Sequence, residues 1–352
     1  MSANENKVRI VLDVAYQPQV RTDTDTRRIM MDVIIALMPA LIVAIFEFGW
    51  RPLGVAMVSM LSAVFFEWAY RKLMKKSNTI GDCSAAVTGL LMAMTMPPSS
   101  PLWLPIIGSF FSIVIVKQLY GGLGKNFLNP ALAGRAFLIA SYANHMTTWV
   151  VPNTLKGLPN SLTGSVDGVT MATPMTYLYN STDPMPAVIN LKNMFLGNMP
   201  GCIGEISALA LLIGVVYLFA RKVITWRIPT AFVGTVVVLT FIFGHEGYSR
   251  LDWVGYNLLC GSMLLGAFFM ANDYATSPVT GPGQLLYGIG CGVITVLIRY
   301  FGSYPEGVSY GILIMNLCTW AIDKTFRRYP FGTTKEDIAA EKAARKAAKE
   351  GA

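Results

Sequence analysis

A chain of 352 residues that is 53% hydrophobic and 14% charged falls well short of the roughly 25% charge of a soluble domain. That excludes an ordinary water-soluble fold and points to lipid as the main solvent. The formal net charge of +8 does not imply nucleic acid, because the basic residues fall between apolar runs, as on the cytoplasmic side of membrane proteins.

Residues 1–28 are polar and read as a cytoplasmic N-terminal segment. The first apolar run starts near Arg28 and is long enough to span, so it reads as an uncleaved helix. A span needs about 20 mostly apolar residues, and about ten runs qualify. Five of them, near 29–50, 53–70, 83–96, 102–120 and 131–150, form a first membrane half, 29–150. A polar stretch, 151–202, follows. Five more, near 203–220, 228–244, 253–271, 284–302 and 306–323, form a second half, 203–323. The third and eighth runs are short or broken by Gly and Pro. Residues 324–352 are a basic tail whose EKAARKAAKE segment reads as an exposed helix without chemistry of its own. The expected fold is an all-α integral membrane protein.

Basic residues set the orientation. Lys7, Arg9, Arg21, Arg27, Arg28, Arg71, Lys72, Lys75, Lys76, Lys125, Arg221, Lys222, Arg227, Lys324, Arg327 and Arg328 share one side; Arg51, Lys156, Lys192 and Arg250 fall on the other. The asymmetry places both termini in the cytoplasm and 151–202 outside.

A weak internal repeat is visible. Cys83, Gly89 and Met92-Ala93 are echoed by Cys260, Gly266 and Met270-Ala271. Each segment meets a Pro-rich break (TMPPSSP, TSPVTGPG), then a Gly-rich apolar helix ending in Lys117 or Arg299. Five spans per half would invert the halves in the membrane, and matched, Pro-interrupted segments point to a midplane site.

Within 151–202 lies VDGVTMATP, residues 166–174, where Asp167, Thr170, Ala172 and Thr173 have the spacing D-x-x-T-x-A-T. This resembles the recognition sequence of the flavin transferase that attaches FMN to threonine. The resemblance makes Thr173 the acceptor of a phosphoester; the sequence departs from the pattern at Met171, where that family has Gly. A hydroxyl to be modified should be exposed to the transferase. Pro174 suits the first turn of a helix starting there, whose free N–H groups would favour a phosphate.

SAAVTGLLMAMTMPP (84–98), KQLYGGLGKNFLNPALAGRAFL (117–138), ANDYATSPVTGPGQLLYGIGCG (271–292) and IRYFGSYPEGVSYGILIMN (298–316) together resemble the family of Rnf D subunits. That family includes the B subunit of the sodium-translocating NADH–quinone reductase. The resemblance implies a urea-transporter-like fold of two inverted five-helix halves in a bacterial or archaeal cytoplasmic membrane. It implies a complex with the A, B, C, E and G subunits of Rnf that relays electrons between reduced ferredoxin and NAD and moves Na⁺ or H⁺ outward. Covalent FMN and a non-covalent riboflavin are its implied cofactors, and the protein supplies their position and electrostatics. A quinone-reductase subunit, a solute channel on the same fold and a purely structural membrane scaffold for redox partners are the competing readings; neither a channel nor a scaffold has need of Thr173.

Ionisable residues inside spans are functional candidates. Asp32, Glu67, Lys117, Arg135, Asp273 and Arg299 qualify. Lys117 and Arg299 have two readings, flavin contacts or interfacial and paired cations. Arg135 and Glu67 read as groups that snorkel to the interface or pair with an opposite charge, and Asp273 as a cation-linked carboxylate. The five cysteines form no C-x-x-C pair, and His145 and His245 have no second ligand at metal spacing, so no metal site is readable. Trp103, Trp149, Trp226 and Trp253 fall at span ends, as an aromatic belt would.

Overall fold

The computed structural model describes residues 25–152, 172–179, 189–245, 247–302 and 306–326. Among them the regular elements are helices, as a chain in lipid requires: with no water to satisfy exposed backbone groups, hydrogen bonds must close within each segment.

Helix α1, Thr26–Phe48, begins at Asp25, whose side chain accepts from Thr26 N, and ends at Gly49. Helix α2, Arg51–Leu73, has Pro52 in its first turn, where the missing N–H costs nothing. Helix α3, Ser84–Met94, is short for local reasons. Cys83 before it is left-handed, at φ 61°, and Asp82 accepts from Ser84 N at 2.8 Å. At its other end Thr95 Oγ1 bonds back to Met92 O at 2.7 Å, and Pro97 and Pro98 follow. Eleven residues rise about 16 Å, half of the bilayer core.

Helix α4 is Trp103–Gln118, with Phe111–Gln118 wound as a π-helix. Helix α5 is Pro130–Ser141, capped by Asn129. Two short helices, α6 (Pro174–Tyr179) and α7 (Leu191–Leu196), precede α8 (Ala208–Ala220) and α9 (Arg227–Phe243). Helices α10 (Arg250–Leu259) and α11 (Met263–Met270) meet at a 63° bend. The last two are α12, Gly281–Phe301, and α13, Val308–Thr325.

Helical segments lie over all ten apolar runs, yet only α1, α2 and α12 among the described residues are long and apolar enough to cross a bilayer unaided, with the bent α10–α11 pair as a fourth. Five others have 10–17 residues, at or below the shortest length that spans a bilayer. Of the ten expected runs, then, fewer than half are each built on a single helix of full spanning length. Apolar run length counts the flanking turns, whereas Pro, Gly and side-chain caps cut the helices inside those runs.

Packing is close where side chains are small, as in lipid-embedded bundles. Helix α1 packs on α8, α2 on α3 and α4, α9 on α10 and α12, and α12 on α13. A Cβ at Gly214 would sit 2.0 Å from Ala36 O of α1, so only glycine lets α8 approach. Trp103 and Trp226 are exposed near helix ends as a belt predicts, but Trp149 and Trp253 are buried. Trp253 is instead the centre of a small core: His245 stacks on it at 4.7 Å, and Tyr179, Tyr248 and Tyr300 surround it.

Candidate functional site

Helix α12 is 21 residues long, about 31 Å, and it separates the candidate residues into two groups. Thr173 and Arg299 lie at its C-terminal end; Lys117 and Asp273 lie towards its N-terminal end.

Thr173 directly precedes α6, and its Oγ1 accepts from Thr176 N at 3.3 Å and shares a 3.0 Å hydrogen bond with Thr176 Oγ1. This is helix capping by a threonine hydroxyl, in keeping with Pro174 in the first turn. The expectation of an exposed hydroxyl is not met, since Thr173 is only 2% exposed. The cause is docking of α6: Met175 and Leu178 insert into a cluster with Met194, Met199, Trp253 and Cys260. Tyr179 completes the dock, donating to Asn257 Oδ1 at 2.6 Å. Burial pushes the Tyr179 phenol up, which keeps it a donor. Ala172 is partly exposed; Asp167 and Thr170, the rest of the motif, lie outside the described residues.

Arg299 lies behind this dock. Its guanidinium donates to Asn257 O at 2.7 Å, Asn257 Oδ1 at 3.1 Å and Cys260 O at 3.2 Å. The bend between α10 and α11 frees these carbonyls from helical bonding, and Arg299 supplies the donors. Gly261, at φ 69°, lets the chain turn beneath it: a Cβ there would lie 2.9 Å from both Arg299 and Met175. Asn257 therefore links Arg299 to Tyr179, and through α6 to Thr173.

Lys117 occupies the corresponding place at the other break. Its Nζ lies 2.8 Å from Glu67 Oε2 and 2.6 Å from Ser84 Oγ, so it pins the start of α3 while pairing with a carboxylate. Thr79 also donates to Glu67, at 2.8 Å. Lys117 and Asp273 line one cavity whose walls are mostly apolar (Val33, Leu91, Phe269) and whose polar edge includes Ser84, Asn126 and Asn272. Asp273 accepts from Ala275 N at 3.3 Å and Thr276 Oγ1 at 3.1 Å, with no ion pair to it among the described residues. Such a cavity can receive a flat, largely apolar ligand with polar substituents.

Of the two readings for Arg135 and Glu67, interfacial or paired, the structure has pairing: Glu67 with Lys117 and Arg135 with Glu306. The residues that sequence reasoning missed surround Arg135. It donates to Glu306, to Ser309 Oγ at 2.8 Å and to Cys202 Sγ at 3.8 Å. Glu205 accepts from Gly261 N at 2.7 Å and Ser262 Oγ at 2.9 Å. Ligand atoms of Cys202, Glu205 and Glu306 lie within 4.8 Å of one another, a spacing a metal could bridge, but Arg135 already provides the counter-charge. Nothing local signalled this cluster, because its members are far apart in the chain.

A family model described as the NQR2, RnfD, RnfE family matches residues 13–332. A curated relative from Acetobacterium woodii, the D subunit of a Na(+)-translocating ferredoxin:NAD(+) oxidoreductase complex, is 45% identical over 92% of this chain and 96% of its own length. One from Clostridium ljungdahlii, the D subunit of a proton-translocating ferredoxin:NAD(+) oxidoreductase complex, is 40% identical over 92% and 97%. The D subunit of an ion-translocating oxidoreductase complex from Halorhodospira halophila is 33% identical over 90% and 95%.

Proposed function

Because the chain belongs to the family of NQR2, RnfD and RnfE proteins, we propose that it is the D subunit of an Rnf ion-translocating ferredoxin:NAD oxidoreductase complex and carries FMN on Thr173. The observation that carries the first part is similarity over nearly the whole length of proteins bearing that name. In this reading the chain works with the A, B, C, E and G subunits in a bacterial or archaeal cytoplasmic membrane. Its termini are cytoplasmic, 151–202 faces outward, and the spans form two inverted five-helix halves. The coupling ion is Na⁺ or H⁺, and the Acetobacterium and Clostridium relatives are named for one each.

The covalent flavin rests on local chemistry. Both contacts of Thr173 Oγ1 can treat it as an acceptor, so neither requires the hydroxyl proton that a phosphoester removes. The small Ala172 beside it would let a transferase surface approach once α6 is lifted. Bound there, FMN would supply one- and two-electron redox chemistry. Thr176 would steady the ester oxygen, and the α6 dock would fix the attachment point against Trp253. Since the docked hydroxyl is enclosed, the flavin transferase must act before α6 docks or while it is lifted.

Non-covalent riboflavin, in the same reading, would be held in the cavity beside Lys117, whose polar lining includes Lys117 and Asn126, and Asp273 would be the carboxylate linked to the coupling ion. Asp273→Asn should then lower ion movement per electron; unchanged pumping at normal electron flux would remove that role. The flavin on Thr173 is tested on a denaturing gel of the purified complex. Fluorescence should travel with this chain and vanish in Thr173→Val while Thr173→Ser retains it. A dark band, from cells with active flavin transferase, would contradict the proposal.

A further inference from the structure

The interface of α12 with α13 has apolar contacts, Met315 over Gly290 and Ile298 over Gly307, but it also buries polar side chains, which an interface between lipid-embedded helices does not need. Gln284, Tyr287, Cys291, Thr295 and Arg299 recur at three- and four-residue spacing on one face of α12. From Gln284 to Arg299 that face runs about 22 Å. Across it, Tyr287 OH donates to Asn316 Oδ1 at 2.6 Å.

Several polar atoms in this interface have no protein partner among the described residues: Thr280 Oγ1, Gln284 Oε1, Thr295 Oγ1 and Asn316 Nδ2. Thr295 is 0% and Asn316 4% exposed. Thr295 Oγ1 points at Gly311 of α13, 2.7 Å from where a Cβ would stand. Buried donors and acceptors are almost always satisfied, and where protein does not satisfy them internal water does.

The two ends of this stripe meet titratable groups. At one end Thr319 Oγ1, one turn beyond Asn316, donates to Thr276 O at 2.8 Å, and Thr276 Oγ1 donates to Asp273. At the other, Arg135 donates to Ser309 Oγ of α13 and to Glu306, with Glu205 and Cys202 adjacent. The Nε atoms of Arg135 and Arg299, at this same end, also have no protein partner among the described residues.

We propose that the α12–α13 interface holds a file of internal water that relays protons between Asp273 and the Arg135–Glu306 pair. Tyr287, Asn316 and Thr295 anchor the file. A proton entering at Asp273 is passed by hydroxyl and water exchange and received by a carboxylate at Glu306; no bond other than O–H forms or breaks. The relay rests on the proposed membership of an ion-translocating complex, whereas the water file does not.

The test is X-ray hydroxyl-radical footprinting of the intact complex, which labels side chains beside ordered internal water. Cys291 should be labelled about fivefold more than Cys260, which is equally buried but lies against Met194 in an apolar cluster. The double variant Thr295→Val, Asn316→Leu should lose that labelling, and Thr295→Ser should keep it. Equal labelling of Cys291 and Cys260 overturns the water file. In vesicles carrying the complex, the double variant should lower proton movement per electron about threefold. Loss of labelling with unchanged proton movement per electron overturns the relay, leaving the file and the redox reading standing.

Discussion

Lys117 and Arg299 end matching segments of the weak repeat, and the two solve the same problem differently. Each pins a helix end beside a break, Lys117 the start of α3 and Arg299 the end of α10. Lys117 does so as half of an ion pair with Glu67. Arg299 does so with backbone and amide oxygens, none of them a carboxylate. An ammonium is a point charge best met by a carboxylate, whereas a guanidinium is a planar fork that spans several carbonyls. The lesson is that a repeat in sequence preserves where a cation is needed, not what neutralises it.

The sharpest way to break that contrast is Lys117→Met, which leaves buried Glu67 only the longer charge contact to Arg71, at 3.9 Å, and should cost up to about 3–5 kcal/mol. Adding Glu67→Gln should restore most of the loss. Thermal unfolding of the purified complex would show it, and a double variant no better than the single would mean that Lys117 acts by packing alone. Arg299→Met strands Asn257 O and Cys260 O, at about 1–3 kcal/mol for each buried carbonyl left unmet. Arg299→Lys should recover little, because one Nζ cannot span both. If Lys restores wild-type stability, the clamp is not bidentate.

Smaller effects separate the α6 dock from the clamp beneath it. Met175→Ala should weaken the dock by about 2–4 kcal/mol, seen as faster hydrogen exchange at Thr176 and Tyr177 with exchange in α12 unchanged. If enclosure of Thr173 limits its modification, the same variant should also raise flavin occupancy. Tyr179→Phe removes one hydrogen bond to Asn257, worth about 1 kcal/mol, and should produce the same exchange change in weaker form.

The helices were legible in the sequence because lipid enforces long apolar runs, and the motif at Thr173 was legible because it is contiguous. The enclosure of Thr173 was not, since it depends on Met175 and Leu178 meeting Met194 and Trp253, residues with no local pattern in common. Trp253 was misread for a related reason: a tryptophan at a span end suits an interface, but His245, Tyr248 and Tyr300 close on it together with α6. The pairing of Arg135 with Glu306 was half legible, as a buried cation demands a partner, but a partner 171 residues away leaves no spacing to read.

The measurement that bears most directly on this account is mass spectrometry of the peptide containing Thr173, taken from the complex purified from its native membrane. The account predicts FMN joined to Thr173 through a phosphoester, and no flavin on Thr170 or Thr176. An unmodified Thr173, in a preparation whose flavin transferase is demonstrably active, would contradict it.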